Sequence, residues 1–129
     1  MQIVRGRDAT APAVKRTAAD HVTGVSWADP VLSGPDGTSI GHVFFEPGSR
    51  TFWHTHRNGQ ILQVTSGRGI VRARDGSGGV IAVGDTVLIA AGEEHWHGAA
   101  PDSYLVHISV AREVPDWLEP VSDEDYARG

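Results

Sequence analysis

The chain has 129 residues and no cysteine, with 11 basic and 16 acidic side chains giving a formal charge of −5. That length supports one compact core without a disulfide or a structural metal, and the missing thiols exclude both a disulfide framework and thiolate ligation, so any metal must be held by His, Asn/Gln, carboxylates or water. The net acidity, much of it in Glu113, Asp116, Glu119, Asp123, Glu124 and Asp125, argues against a nucleic-acid partner, while the lack of a membrane-length apolar run or an apolar leader core predicts a soluble cytoplasmic protein with no membrane association.

Residues 1–38 are irregular in pattern and read as an N-terminal extension packed on the main body or on a partner subunit. Thr10-Ala-Pro-Ala and Leu32-Ser-Gly-Pro-Asp-Gly are loop sequences. Between them, Thr23–Val31 could be a strand lying along a sheet edge or against a second copy; because open edges need covering, a homodimer or higher homo-oligomer is expected. Over 39–112, short apolar runs recur between glycine and proline turn signals, which predicts strands at Ser39–Phe45, Arg50–His54, Gln60–Ser66, Gly69–Arg74, Val80–Ala82, Thr86–Ile89, His95–Ala99 and Tyr104–Val110. Turns fall at Glu46-Pro-Gly, Asp75-Gly-Ser-Gly-Gly and Ala91-Gly-Glu-Glu. An all-β chain with this strand count fits a jelly-roll barrel of two antiparallel sheets. In the tail, 113–129, Ser122 is an N-cap candidate followed by acids, which predicts one short helix.

Two runs carry the chemistry: Gly48-Ser-Arg-Thr-Phe-Trp-His54-Thr-His56-Arg-Asn-Gly-Gln60, and Gly84-Asp-Thr-Val-Leu-Ile-Ala-Ala-Gly92-Glu-Glu-His95-Trp-His97. Residues two apart on a strand share a face, so His54 and His56 project together, and Gln60 joins them if the chain bends at Asn58-Gly59. With His95 they form a four-donor set of imidazole and amide, suited to divalent Mn, Fe, Co, Ni, Cu or Zn. All four donors are neutral, so a bound divalent ion would keep its charge and act as a strong Lewis acid toward anionic ligands. Four protein donors leave positions open, as a catalytic centre requires.

Other residues are assigned by parity. His97 shares the face of His95 and could carry protons, hydrogen-bond a substrate, serve as a fifth ligand or line the pocket. His107, inside an apolar strand, is either paired across the barrel or kept neutral as a base. If Val43 faces the pocket, His42 faces away. His21 reads as a loop residue; Phe52, Trp53 and Trp96 read as packing, with Trp96 a possible entrance residue. Arg50 and Arg57 are surface charges, unless Arg50 turns inward to meet an anionic substrate.

The two runs resemble the paired signatures of the cupin superfamily, Gly-x5-His-x-His-x3-Glu-x6-Gly and Gly-x5-Pro-x-Gly-x2-His-x3-Asn, in register from Gly48 to Gly67 and from Gly84 through His95. Gln60 replaces the usual Glu, Ala90 the Pro and Ala99 the Asn. A narrower likeness, running from Phe45 to Pro101 and into Asp116-Trp-Leu-Glu-Pro-Val, is to small bacterial cupins that include manganese-dependent (R)-selective hydroxynitrile lyases. This resemblance implies that His54, His56, Gln60 and His95 hold Mn2+, that His97 and His107 handle protons, and that Val43 and Ala111 line a small-molecule pocket. It implies a lyase that cleaves cyanohydrins to aldehyde and HCN. A metal-dependent dioxygenase, a non-enzymatic metal-dependent sensor of small ligands, and an isomerase or cyclase of pathway intermediates are the alternatives.

Overall fold

In the computed structural model, which describes residues 1–129, the strands are β1 Lys15–Arg16, β2 Val22–Thr23, β3 Ser26–Ser33, β4 Thr38–Phe45, β5 Arg50–Thr51, β6 His54–Thr55, β7 Gln60–Ala73, β8 Gly78–Ala82, β9 Thr86–Ile89, β10 His95–Ala99, β11 Leu105–Arg112 and β12 Asp116–Trp117, followed by helix α1 Asp123–Ala127. All pairings are antiparallel. One sheet runs β1-β3-β4-β11-β7-β9, and the other carries β8, β7, β10 and the short strands β5, β2, β6 and β12.

The two sheets are joined through β7, where the sequence predicts two strands separated at Gly67. The chain does not stop there. It bends: the first part of β7 pairs with β11 and β9, the second with β10 and β8. Gly67 has φ +75°, and a Cβ there would collide with the Tyr104 carbonyl oxygen, so only glycine allows this crossing. The predicted strand Arg50–His54 is, conversely, broken into β5 and β6 at Phe52-Trp53.

Alternation places Phe45, Val64, Val71, Ile81, Ala99 and Leu105 between the sheets as one apolar cluster. A second cluster of Trp53, Ile70, Trp96 and Val121, with Tyr126 against it, lies beneath the C-terminal tail. Trp96 is therefore covered rather than at an entrance. Arg50 is buried as well, and it faces neither solvent nor the pocket: its Nη2 donates to the Val121 carbonyl at 3.0 Å and to Asp123 Oδ1 at 2.7 Å, with its guanidinium 4.5 Å from the Tyr126 ring centroid. The tail is pinned by that arginine and by Tyr126 Oη donating to the Ala99 carbonyl. Ser122 caps α1 as expected, accepting from the Asp125 amide at 3.0 Å.

The strand expected near Thr23–Val31 is β3, paired with β4 along its length. Its other edge is covered within the chain by β1 and by the Asp8 amide donating to the Val31 carbonyl. The open edge that motivated the expectation of a homodimer is thus partly closed, and on the outward face of this sheet Ile61 and Leu88 are exposed. No helix is long and apolar enough to cross a membrane.

Candidate metal centre

His54 and His95 are direct partners across β6 and β10, which brings their ring centroids to 4.2 Å. His56 follows β6 with its ring 5.2 Å from that of His54. The chain then turns at Gly59, where φ is +79° and a Cβ would meet the Ile89 carbonyl oxygen at 2.7 Å, so that Gln60 opens β7 facing the same interior. Each of these four side chains is buried.

Backbone carbonyls fix the tautomers of two of the imidazoles. Nδ1 of His54 donates to the Phe52 carbonyl at 2.9 Å and Nδ1 of His95 to the Glu93 carbonyl at 2.8 Å. Each ring then presents a bare Nε2 to the interior, the form a metal ligand needs. The amide of Gln60 is held too: its Nε2 donates to Ser109 Oγ at 2.9 Å, which aims Oε1 at His95 Nε2 at 3.1 Å. With these assignments two lone pairs face each other with no hydrogen between them. A cation accepted by both turns that repulsion into coordination.

The unpartnered atoms point the same way. Both ring nitrogens of His56 and Nε2 of His97 are buried without a hydrogen-bond partner, and orphaned polar atoms of this kind cost about 1–3 kcal/mol each. Ligand atoms of His54, His95 and His97 lie within 4.8 Å of one another, close enough for three imidazoles to hold one ion. Burial, and then the neighbouring imidazoles, push the His54 and His97 rings well below their ordinary pKa and His56 down to about 4; burial also lowers His95, and His107 to about 4. The cluster is neutral at pH 7, so a divalent ion displaces no protons on entering. The donor set fits a divalent metal.

His97 and His107 are arranged in series. His107 Nε2 and His97 Nδ1 share a hydrogen at 3.2 Å, and His97, not His107, reaches the cavity of about 230 Å3 beside the cluster. That cavity is also walled by Val43, Ala111, Ser109 and Trp117. His42 points out to solvent, as parity requires, and Arg57 is exposed at 3.7 Å from Glu113. Sequence reasoning missed two contributors. Trp117 pairs with His54 in strand register and its ring sits 4.7 Å from that imidazole, while His21, in a turn as expected, stacks on Trp117 at 4.3 Å. The only sequence signal for Trp117 was its place in an otherwise acidic tail.

Residues 41–110 match the cupin domain family (Cupin_2). The chain is a cupin. Of known proteins, this cupin is similar to an (R)-mandelonitrile lyase of Granulicella tundricola, 42% identical over 116 residues that span 85% of this chain and 88% of the lyase. It also resembles a crystal structure of a cupin-like protein from Thermotoga maritima, at TM-score 0.85 and 38% identity, covering 94% of this chain and 96% of that one. The polyketide cyclase RemF from Streptomyces resistomycificus, at 19% identity and TM-score 0.70 over 98% of this chain and 90% of its own, shares the fold.

Proposed function

We propose that this cupin is a metal-dependent lyase that cleaves cyanohydrins to an aldehyde and HCN, with His54, His56, Gln60 and His95 holding a divalent ion, Mn2+ by preference. The observation that carries the reaction is the 42% identity to a protein named (R)-mandelonitrile lyase. The geometry supports it: the neutral side chains of His54, Gln60 and His95 adjoin one another with His56 and His97 beside them, a small cavity adjoins the group, and an imidazole with a free nitrogen reaches that cavity. His56 is taken as the third imidazole because neither of its nitrogens has a partner and the cupin signature has a ligand at its place, and His97, bonded to His107 through Nδ1, keeps its free Nε2 for the cavity.

A cavity of about 230 Å3 falls below the roughly 300 Å3 at which drug-sized pockets begin, which limits the substrate to a small molecule. Val43 and Ala111 set its width. When bound, the ion supplies Lewis acidity toward a hydroxyl or carbonyl oxygen in this cavity. His97 Nε2 takes the hydroxyl proton of the cyanohydrin, which requires His97 Nδ1 to carry the hydrogen shared with His107 Nε2. The oxygen's electron pair forms the carbonyl as the carbon–carbon bond pair leaves with cyanide. The imidazolium of His97 then returns the proton, giving HCN and restoring the neutral ring. His107 holds the tautomer of His97 and shares the transient charge, which burial would otherwise make costly.

The test is turnover of (R)- and (S)-mandelonitrile by protein stripped of metal and then reloaded with each divalent ion, following benzaldehyde while an electrode reads oxygen. Metal-dependent benzaldehyde release from the (R) form without oxygen uptake is expected. Oxygen uptake would make this a dioxygenase, and metal binding with no turnover of any cyanohydrin would leave a ligand sensor.

A further inference from the structure

The cavity beside the cluster is walled by uncharged side chains and imidazoles with one exception: Glu113 is the only carboxylate that lines it, and no lysine or arginine does. We propose that Glu113 is a charge selector at the cavity mouth, which admits uncharged hydroxy compounds, cyanohydrins among them, and disfavours hydroxy acids and other carboxylates of the same size. The proposal rests on the metal reading above and names the charge class of substrate that the site takes.

A divalent ion held by neutral donors keeps its charge and attracts carboxylates, so a site that works on uncharged molecules needs a bias against them. Glu113 is placed to supply it. Just beyond the end of β11, it continues the inward register of Ser109 and Ala111, and its side chain is half exposed, as suits a residue at a rim. It is also the only non-glycine residue with a positive φ, at +61°, and its amide donates to the Gly37 carbonyl at 2.9 Å. Glycine takes this conformation without strain, so a glutamate here points to a use for its side chain. The neighbouring cation does not cancel the charge. Arg57 Nε lies 3.7 Å from Glu113 Oε2, beyond a good hydrogen bond, and Arg57 is 74% exposed and does not line the cavity. Water screens that pair, whereas an anion entering the cavity meets the carboxylate with less solvent between them.

The experiment is calorimetric titration of Mn2+-loaded full-length protein with (R)-mandelate and with its uncharged counterpart (R)-mandelamide, on the natural chain, Glu113→Gln and Arg57→Gln, at low and at high salt. Glu113→Gln, which keeps the size of the side chain and the backbone bond to Gly37, is expected to tighten mandelate by about three- to tenfold and to leave mandelamide within about twofold. Arg57→Gln is expected to move mandelate the opposite way, and high salt to shrink both differences. Equal tightening of mandelate and mandelamide in Glu113→Gln would overturn the proposal by showing that the change widens the mouth rather than removing a charge. Mandelate affinity unchanged in Glu113→Gln would overturn it as well, and either result leaves the metal centre and the lyase reading standing. Charge-dependent binding in protein that turns over no cyanohydrin would support the selector and sink the lyase reading alone. Failure of the natural chain to bind Mn2+, read as free aqua-Mn2+ by electron paramagnetic resonance, would bring down the metal reading and this proposal together.

Discussion

Replacing His54 by alanine is expected to remove the metal and, with it, at least about a thousandfold of the turnover rate, the equivalent of about 4 kcal/mol of transition-state stabilisation. His54 is 1% exposed, its Nδ1 is committed to the Phe52 carbonyl, and its ring is gripped between His95 and Trp117. Metal content after dialysis and initial rates of benzaldehyde release, measured on the same preparation, check this. The melting curve of the stripped variant provides the control for folding. Undiminished metal-dependent turnover in His54→Ala would mean that the ion sits elsewhere.

The second large effect separates acid–base chemistry from ligation. His97→Ala is expected to lower kcat by about 100- to 10,000-fold, the range for loss of a general base, while Mn2+ affinity changes by only a few-fold. That split follows from the serial arrangement, in which His97 reaches the cavity and is tied to His107 at 3.2 Å. His107→Ala should be milder, because it removes the partner rather than the group that meets substrate. The close approach of His54, His95 and His97, within 4.8 Å, makes the contrary result informative. If His97→Ala loses the metal as completely as His54→Ala, then His97 is a ligand and another group must take the proton.

Much of this centre was legible because its spacing is periodic. His54 and His56 share a face by alternation, His95 and His97 do the same, and Gly59 marks the turn that brings Gln60 to them. The short helix was legible for a similar local reason, a Ser122 cap ahead of three acids. What could not be read is what depends on partners distant in the chain. Gly67 looked like a break between strands because nothing local tells a bend within one strand from a gap between two. Arg50 looked like a surface charge because its partners, Val121 and Asp123, lie some seventy residues away. Trp117 and His21 sit in segments with no regular pattern, and only the pairing of β12 with β6 brings them to His54. The order of His97 and His107 relative to the cavity was equally beyond parity, which gives a face but not a depth.

The measurement that tests the central claim most directly is an anomalous-difference map from crystals of the protein grown or soaked with Mn2+. The account predicts one strong peak per chain, bound by Nε2 of His54 and His95, a ring nitrogen of His56 and Oε1 of Gln60, with His97 Nε2 facing the adjoining cavity. A peak held by His54, His95 and His97 with Gln60 turned away, or no peak in the cluster, would contradict it.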